Sequence, residues 1–301
     1  MPGTRRNDSV LGILLMLAGF FMFSASDAMA KFLTESFHPV QIAWARYMGL
    51  FVGAMILLGI HGFSLLRTEK PILQFARAAV GTFSAICFIV AVAYVPLADA
   101  VAVAFVAPFM VTIMAALILR EPVGIRRWTA VCIGFVGAMI VIRPGLGVVH
   151  PAALLIILAA LLFAVRQIIS RWLSDSDRTV TTIAFTGIIG AVLLTLPLPF
   201  VWITPVTWTE AALLVGIAVF GALGEILVIK ALEVAHAVIL APLQYTMLIW
   251  GILYGYLIFS DLPDQWTMIG ALIIMATGLY TLHRERVVSR QRARAARIAG
   301  S

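Results

Sequence analysis

Asp27, Arg46, Arg77, Arg166 and Glu225 stand inside long runs of Leu, Ile, Val, Phe and Ala. A charge at the centre of a bilayer costs about 2.5 to 3.5 kcal/mol on insertion scales, so each needs a partner, a wet cavity or a route to the surface. The chemistry open to such groups is the holding of a polar or zwitterionic solute and the making and breaking of ion pairs. Asp27 and Glu225 can also carry protons, or stay ionised in salt bridges. At 1.5 Å per residue, Asp27 and Arg46 both lie roughly 8 to 12 Å from one face and can meet. Arg166 and Glu225 lie at a comparable depth from the opposite face, with Lys230 one turn nearer that face, and can meet too. The spacing predicts two ion-pair layers, each able to close one vestibule. Arg77 reads as a long side chain snorkelling to the nearest interface, and Arg166 fits that reading equally well.

Trp44, Tyr245, Trp250 and Tyr254 also fall inside apolar stretches. Each joins a large apolar face to one hydrogen-bonding atom, which suits a cavity for amphipathic or aromatic metabolites and equally suits packing. Tyr245, one turn after Pro242, is the strongest candidate. Catalytic chemistry has no comparable signature. His38, His61, His150, His236 and His283 lie at loops or stretch ends with no HExxH spacing, and Cys87 and Cys132 read as small buried hydrophobes. Gly145-Leu146-Gly147 has no following GK, so an ATP-driven pump within this chain is excluded. No enzyme, metal or cofactor is expected.

The elements that must position these residues are apolar helices. Hydrophobic residues make up 62% of the chain and charged residues 12%, with a mean hydropathy of +1.07. A soluble domain carries roughly 25% charged residues. Ten stretches can span a bilayer: 10–33, 38–60, 72–94, 97–119, 127–143, 150–171, 179–202, 209–232, 236–259 and 265–283. The expected fold is an all-α integral membrane protein of ten transmembrane helices. Arg5, Arg6 and Ala28-Met29-Ala30 imitate a signal peptide, but the first run is too long and Asp27 interrupts it, so it reads as a helix.

One set of loop ends carries Arg67, Lys70, Arg120, Arg126, Arg127, Arg171, Arg178, Lys230 and the basic tail 284–301; the other carries only Lys31 and Arg143. Basic residues are retained on the cytoplasmic side, so both termini are expected there, with 1–9 as a short N-terminal segment. The tail can rest on anionic lipid; no domain accompanies it to bind nucleic acid. Trp128, Trp172, Trp202, Trp208 and Trp266 fall at stretch ends, as interfacial anchors do.

The stretches divide into two groups of five, 10–143 and 150–283. Leu97-Ala98-Asp99-Ala100-Val101, Ala107-Pro108-Phe109 and Glu121-Pro122 echo Val234-Ala235-His236-Ala237-Val238, Ala241-Pro242-Leu243 and Leu262-Pro263. An odd number of helices per half inverts one half against the other, which is a transporter design with its site between the halves. Pro108 and Pro242 free a backbone carbonyl, of Ala104 and Val238, inside the fourth and ninth stretches, marking either a hinge or a static kink. Gly49 with Gly53, and Gly251 with Gly255, form GxxxG pairs read as close helix packing.

The run from Tyr94-Val95-Pro96-Leu97-Ala98-Asp99-Ala100 through Ala107-Pro108 to Arg143-Pro144-Gly145, with Ala241-Pro242-Leu243-Gln244-Tyr245-Thr246 through Gly255-Tyr256 to Gly278-Leu279-Tyr280, resembles the drug/metabolite transporter superfamily, EamA type. Ser260-Asp261 departs from the Glu usual in that pattern. The resemblance implies a carrier of the bacterial inner membrane that exports amino acids or similar small metabolites by alternating access around a central cavity. A monomer suffices for such a carrier. The alternatives are a multidrug or lipophilic-cation exporter and a nonselective pore.

Overall fold

The computed structural model describes residues 9–120, 124–143, 151–173, 176–235 and 240–299, and no strand occurs among them. The helices are α1 (Ser9–Leu33), α2 (Pro39–His61), α3 (Pro71–Val92), α4 (Leu97–Ala104), α5 (Ala107–Ile118), α6 (Ile125–Ile142), α7 (Ala153–Leu173), α8 (Thr179–Thr195), α9 (Leu198–Val201), α10 (Trp208–Val234), α11 (Thr246–Phe259) and α12 (Gln265–Ala299). Two 3₁₀ turns, Gly62–Leu66 and Ala241–Tyr245, follow α2 and precede α11. Among the described residues, seven spans are long and apolar enough to cross a membrane, the α4–α5 pair counting as one; Trp128–Ile142 and Thr179–Thr195 are shorter apolar helices. The tail expected beyond 283 continues α12 as helix to Ala299. Residues 144–150, between the two groups of five, lie outside the described residues.

Local sequence sets the boundaries. Pro39 opens α2 and the His38 ring accepts from the Val40 amide at 3.3 Å, while Thr207 and Glu210 cap α10 reciprocally. Pro108 differs from its expected place inside one helix. The α4 helix ends at Ala104, the Phe105 and Val106 amides turn back to Val101 and Val103 at 3.2 and 3.0 Å, and Pro108 stands in the first turn of α5. A proline there forfeits no helical hydrogen bond, so the chain breaks the helix before it instead of bending through it. Pro242 occupies the first turn of the second 3₁₀ segment in the same way; Val238 is outside the described residues.

The surface is apolar and part of the interior polar, as lipid demands. Ile56, Phe83, Val192, Val215 and Leu257 face outward, whereas Asp27, Gln41, Gln74, Arg77 and Thr82 are buried. Trp172, Trp202, Trp208 and Trp266 are exposed at or near helix ends.

Packing runs between the two groups of five more than within them. The α1 helix lies on α10 and α3 on α7; α2 lies on α8 and α6 on α12. Further contacts join α2 to α10, α3 to α8, α1 to α11, α5 to α7 and α4 to α11. Exchanging the five stretches of 10–143, in order, for those of 150–283 maps this set onto itself: α1 on α10 becomes α7 on α3, and α2 on α10 becomes α8 on α3.

Glycine permits the closest of these approaches. A methyl group added at Gly49 would fall 2.0 Å from the Ala218 carbonyl oxygen of α10, whereas one at Gly53 meets nothing within 4 Å. Only the first member of that GxxxG pair is a packing residue. Gly49→Leu is therefore expected to destabilise the detergent-solubilised protein by about 1 to 3 kcal/mol of overpacking, and Gly53→Leu to leave its thermal midpoint unchanged. Fluorescence-detected thermal unfolding of the two variants checks this.

Candidate functional site

Two charged centres lie inside the bundle. The first joins α1, α2 and α10. Arg46 Nη2 donates to Asp27 Oδ1 in a close ion pair and to Ser26 Oγ at 3.1 Å. Ser26 Oγ in turn donates to the Ile217 carbonyl oxygen at 3.4 Å, and the Arg46 stem passes Gly221, one turn on. Asp27 is only 8% exposed. A buried pair of this kind holds because each charge answers the other in a medium where either alone is costly. The meeting of Asp27 and Arg46 expected from their depth is present.

The second centre joins α2, α3, α7, α8 and α10, and here the expectation needs correction. Arg77 does not snorkel. It is 8% exposed, donating from Nε to Ser170 Oγ and from Nη1 to Thr186 Oγ1, both at 2.6 Å. Because α3 and α7 run antiparallel, Arg77 opposite Ser170 places Gly81, one turn along α3, opposite Arg166, one turn back along α7. A methyl at Gly81 would sit 3.1 Å from Arg166 Cδ and 3.8 Å from the Tyr47 hydroxyl, so glycine makes room for both. Arg166 and Glu225 lie near enough to Arg77 to act on its charge, Arg166 opposing it and Glu225 favouring it. Among the described residues no ion pair joins Glu225 to Arg166 or to Lys230. Lys230 pairs instead with Glu233 at 2.8 Å, its neighbour one turn away. Arg166 lies over the Phe163 ring at 5.7 Å, and its Nε is buried with no hydrogen-bond partner among the described residues.

Polar clasps stand at both ends of the bundle. At one, Lys31 Nζ donates to the Val95 carbonyl at 2.8 Å and lies 4.0 Å from Asp261 Oδ2, while Arg143 pairs with Asp264 at 2.7 Å. Among the described residues, Asp99 Oδ1, buried beside them, has no hydrogen-bond partner. At the other, Asp177 Oδ2 accepts from Thr68 at 2.6 Å and from Gln74 Nε2 at 2.5 Å, and Lys70 donates to the Trp172 carbonyl at 2.8 Å. Sequence reading missed Asp99, Gln74 and the burial of Arg77. A charge three residues into the fourth stretch was a visible signal for Asp99, since Asp99 sits in the first turn of α4.

The aromatic candidates separate from the charges. Trp44 bonds Thr195 Oγ1 at 3.0 Å and meets Trp202 edge-on, tying α2 to the end of α8. Trp250 and Tyr254 pack on Phe21, joining α11 to α1. Tyr245, 5% exposed, stacks on Phe105 at 5.1 Å within the apolar cluster and presses its hydroxyl on Gly278. A groove of about 440 Å³ runs between α6 and α12, lined by Arg126, Thr129, Ala130, Ile133, Ala276, Thr277 and Tyr280, and contains none of the predicted residues. No cluster of metal-ligating side chains occurs among the described residues.

Comparison with known proteins gives a consistent picture. The profile of the EamA-like transporter family matches residues 10–143 and again 150–282. The S-adenosylmethionine uptake transporter of Rickettsia bellii is 28% identical over 92% of this chain and 94% of its own length. The pseudopaline exporter CntI of Pseudomonas aeruginosa PAO1 is 28% identical over 88% and 93%, and the riboflavin transporter of Vibrio cholerae 30% identical over 93% and 95%. A solved crystal structure superposes with a TM-score of 0.62 at 17% identity, covering 92% of this chain and 98% of that one, which speaks to the fold alone.

Removing one member of the first pair leaves the other charge uncompensated. Asp27→Ala is expected to cost about 3 kcal/mol of stability, and Asp27→Ala combined with Arg46→Leu to recover most of it. Thermal unfolding of the single and double variants in the same detergent measures the coupling.

Proposed function

From the premise that this chain belongs to the EamA-like transporter family, we propose that it is a secondary carrier moving small amino-acid-type metabolites by alternating access. It is a transporter and not an enzyme, in line with its relatives. Ten spans in two inverted halves are part of the proposal. The self-exchanging contact pattern supports it, as does the double family match. Membership of this family suggests the bacterial inner membrane, and the basic residues favour both termini on its cytoplasmic side.

The observation that carries the cargo class is the pair of charged centres, the first closed by Asp27 and Arg46, the second presenting Arg166 and Glu225 without an ion pair between them. Opposite charges at one place suit a zwitterion, and a bundle interior rewards a solute that neutralises them. The named relatives span several cargoes and both directions. S-adenosylmethionine is itself an amino-acid derivative, whereas riboflavin carries neither ammonium nor carboxylate, so the charged centres favour the first chemistry over the second. A lipophilic-cation exporter calls for an acid left alone in an aromatic cavity. Glu225 faces Arg77, which argues against that reading.

Counterflow into proteoliposomes tests the proposal, with labelled threonine, methionine, phenylalanine and tryptophan as the panel. Saturable accumulation driven by the unlabelled internal amino acid is expected, and Arg46→Ala is expected to lower its rate at least about tenfold, as loss of a charge-assisted contact does. Flux that rises without saturation identifies a pore. No counterflow with any amino acid defeats the cargo assignment.

A further inference from the structure

The second centre holds more positive charge than it can neutralise. Asp27 and Arg46 cancel one another in the first centre. That leaves Arg77 and Arg166 against Glu225, an excess of one positive charge among the groups that act on Arg77. The hydrogen bonds of Arg77 go to two hydroxyls, Ser170 and Thr186, which fix its direction without neutralising it. Arg166 is held differently. Its stem rests against Gly81, its guanidinium covers Phe163, and its buried Nε meets no acceptor among the described residues. An arginine so placed, half-buried and with its Nε unpartnered among the described residues, has donors available, and a planar oxyanion is its best partner. The Tyr47 hydroxyl stands over the same glycine, on a side chain only 5% exposed, and offers a further donor.

Glu225 sets the other end of the solute. It lies one turn after Gly221 on α10, and Gly221 borders Arg46 and Ser26. Glu225 therefore stands between the two centres, with an ammonium as the group that would satisfy it.

We propose that Arg166, Tyr47 and Arg77 form a carboxylate-binding subsite, with Arg166 touching the ligand and Arg77 fixed behind it, and that Glu225 receives the ammonium of the same solute. The inference deepens the carrier reading and rests on it for the solute's passage, but the subsite makes its own claim: the ligand must carry a carboxylate. Arg77 acts as a positioning residue that keeps positive potential on the site, its direction fixed by Ser170 and Thr186.

Binding to the full-length protein in detergent separates the two claims. The probes are methionine and phenylalanine, each with its amide, which lacks the carboxylate, and its deaminated acid, which lacks the ammonium; affinity is read from thermal stabilisation across a concentration series. The amino acid is expected to bind at least about tenfold more tightly than its amide, the value of one charge-assisted contact. Arg166→Ala brings the amino acid down to the level of its amide and the deaminated acid below both, and Arg166→Lys restores part of the difference, which a merely structural role would not do. Glu225→Gln removes the advantage of the amino acid over the deaminated acid while the preference for a carboxylate persists. Three results overturn the subsite: amides binding as tightly as acids, Arg166→Ala still discriminating between them, or no stabilisation by any carboxylate probe. Discriminating binding together with absent counterflow defeats the transport reading and leaves the subsite standing.

Discussion

An ionised side chain inside an apolar bundle is tolerable only where another group answers it, and this constraint organises the interior of the protein. Asp27 answers Arg46, and Ser170 with Thr186 answers Arg77. Each arrangement needs helices close enough for short polar side chains to reach. Glycine supplies that closeness at Gly81, where an added methyl would fall 3.1 Å from Arg166 Cδ, whereas one at Gly221 would make ordinary contact with the Arg46 stem at 3.5 Å. A larger residue at Gly81 would press on the Arg166 stem. The charged centres and the helix packing are thus one design problem.

The same interior contains its own points of weakness. The helix broken between α4 and α5 lies against α11, which is itself preceded by a 3₁₀ turn. Each break follows from a proline in a first turn, where no helical hydrogen bond is given up. Interrupted backbone of this kind is where a bundle can bend at least cost. Around it stand the two end clasps, Lys31 with Asp261 and Arg143 with Asp264 at one end, Gln74 and Thr68 on Asp177 at the other. In the proposed carrier these clasps open in turn. Because most contacts run between the sequence halves, the moving bodies in such a cycle are groups of helices drawn from both halves.

Much of this was legible in the sequence, and the gaps have physical causes. Hydropathy placed a helix on every predicted stretch because lipid-facing residues must be apolar whatever the tertiary detail. Depth counting brought Asp27 and Arg46 together because both sit at the same level on helices that pack against α10. It failed for Glu225 and Lys230, whose partners depend on helix rotation, a quantity that depth does not contain. Arg77 was misread as snorkelling because its acceptors, Ser170 and Thr186, are hydroxyls distant in sequence and unremarkable alone. Tyr245 looked like a cavity residue by type, yet its ring fills apolar space against Phe105 and Gly278. Side-chain chemistry announces what a residue can do; packing decides which use is made of it.

The most direct test of a carrier with two alternately exposed centres is the accessibility of single cysteines at Ser26 and Ser170, in protein with Cys87 and Cys132 replaced by Ala. Membrane-impermeant thiol reagents are applied from each side of oriented vesicles. The carrier predicts that Ser26→Cys reacts only from the side of Lys31 and Ser170→Cys only from the side of Asp177, with substrate shifting the two rates in opposite directions. Both positions reacting together from one side, with rates indifferent to substrate, would contradict alternating access and describe a continuous pore.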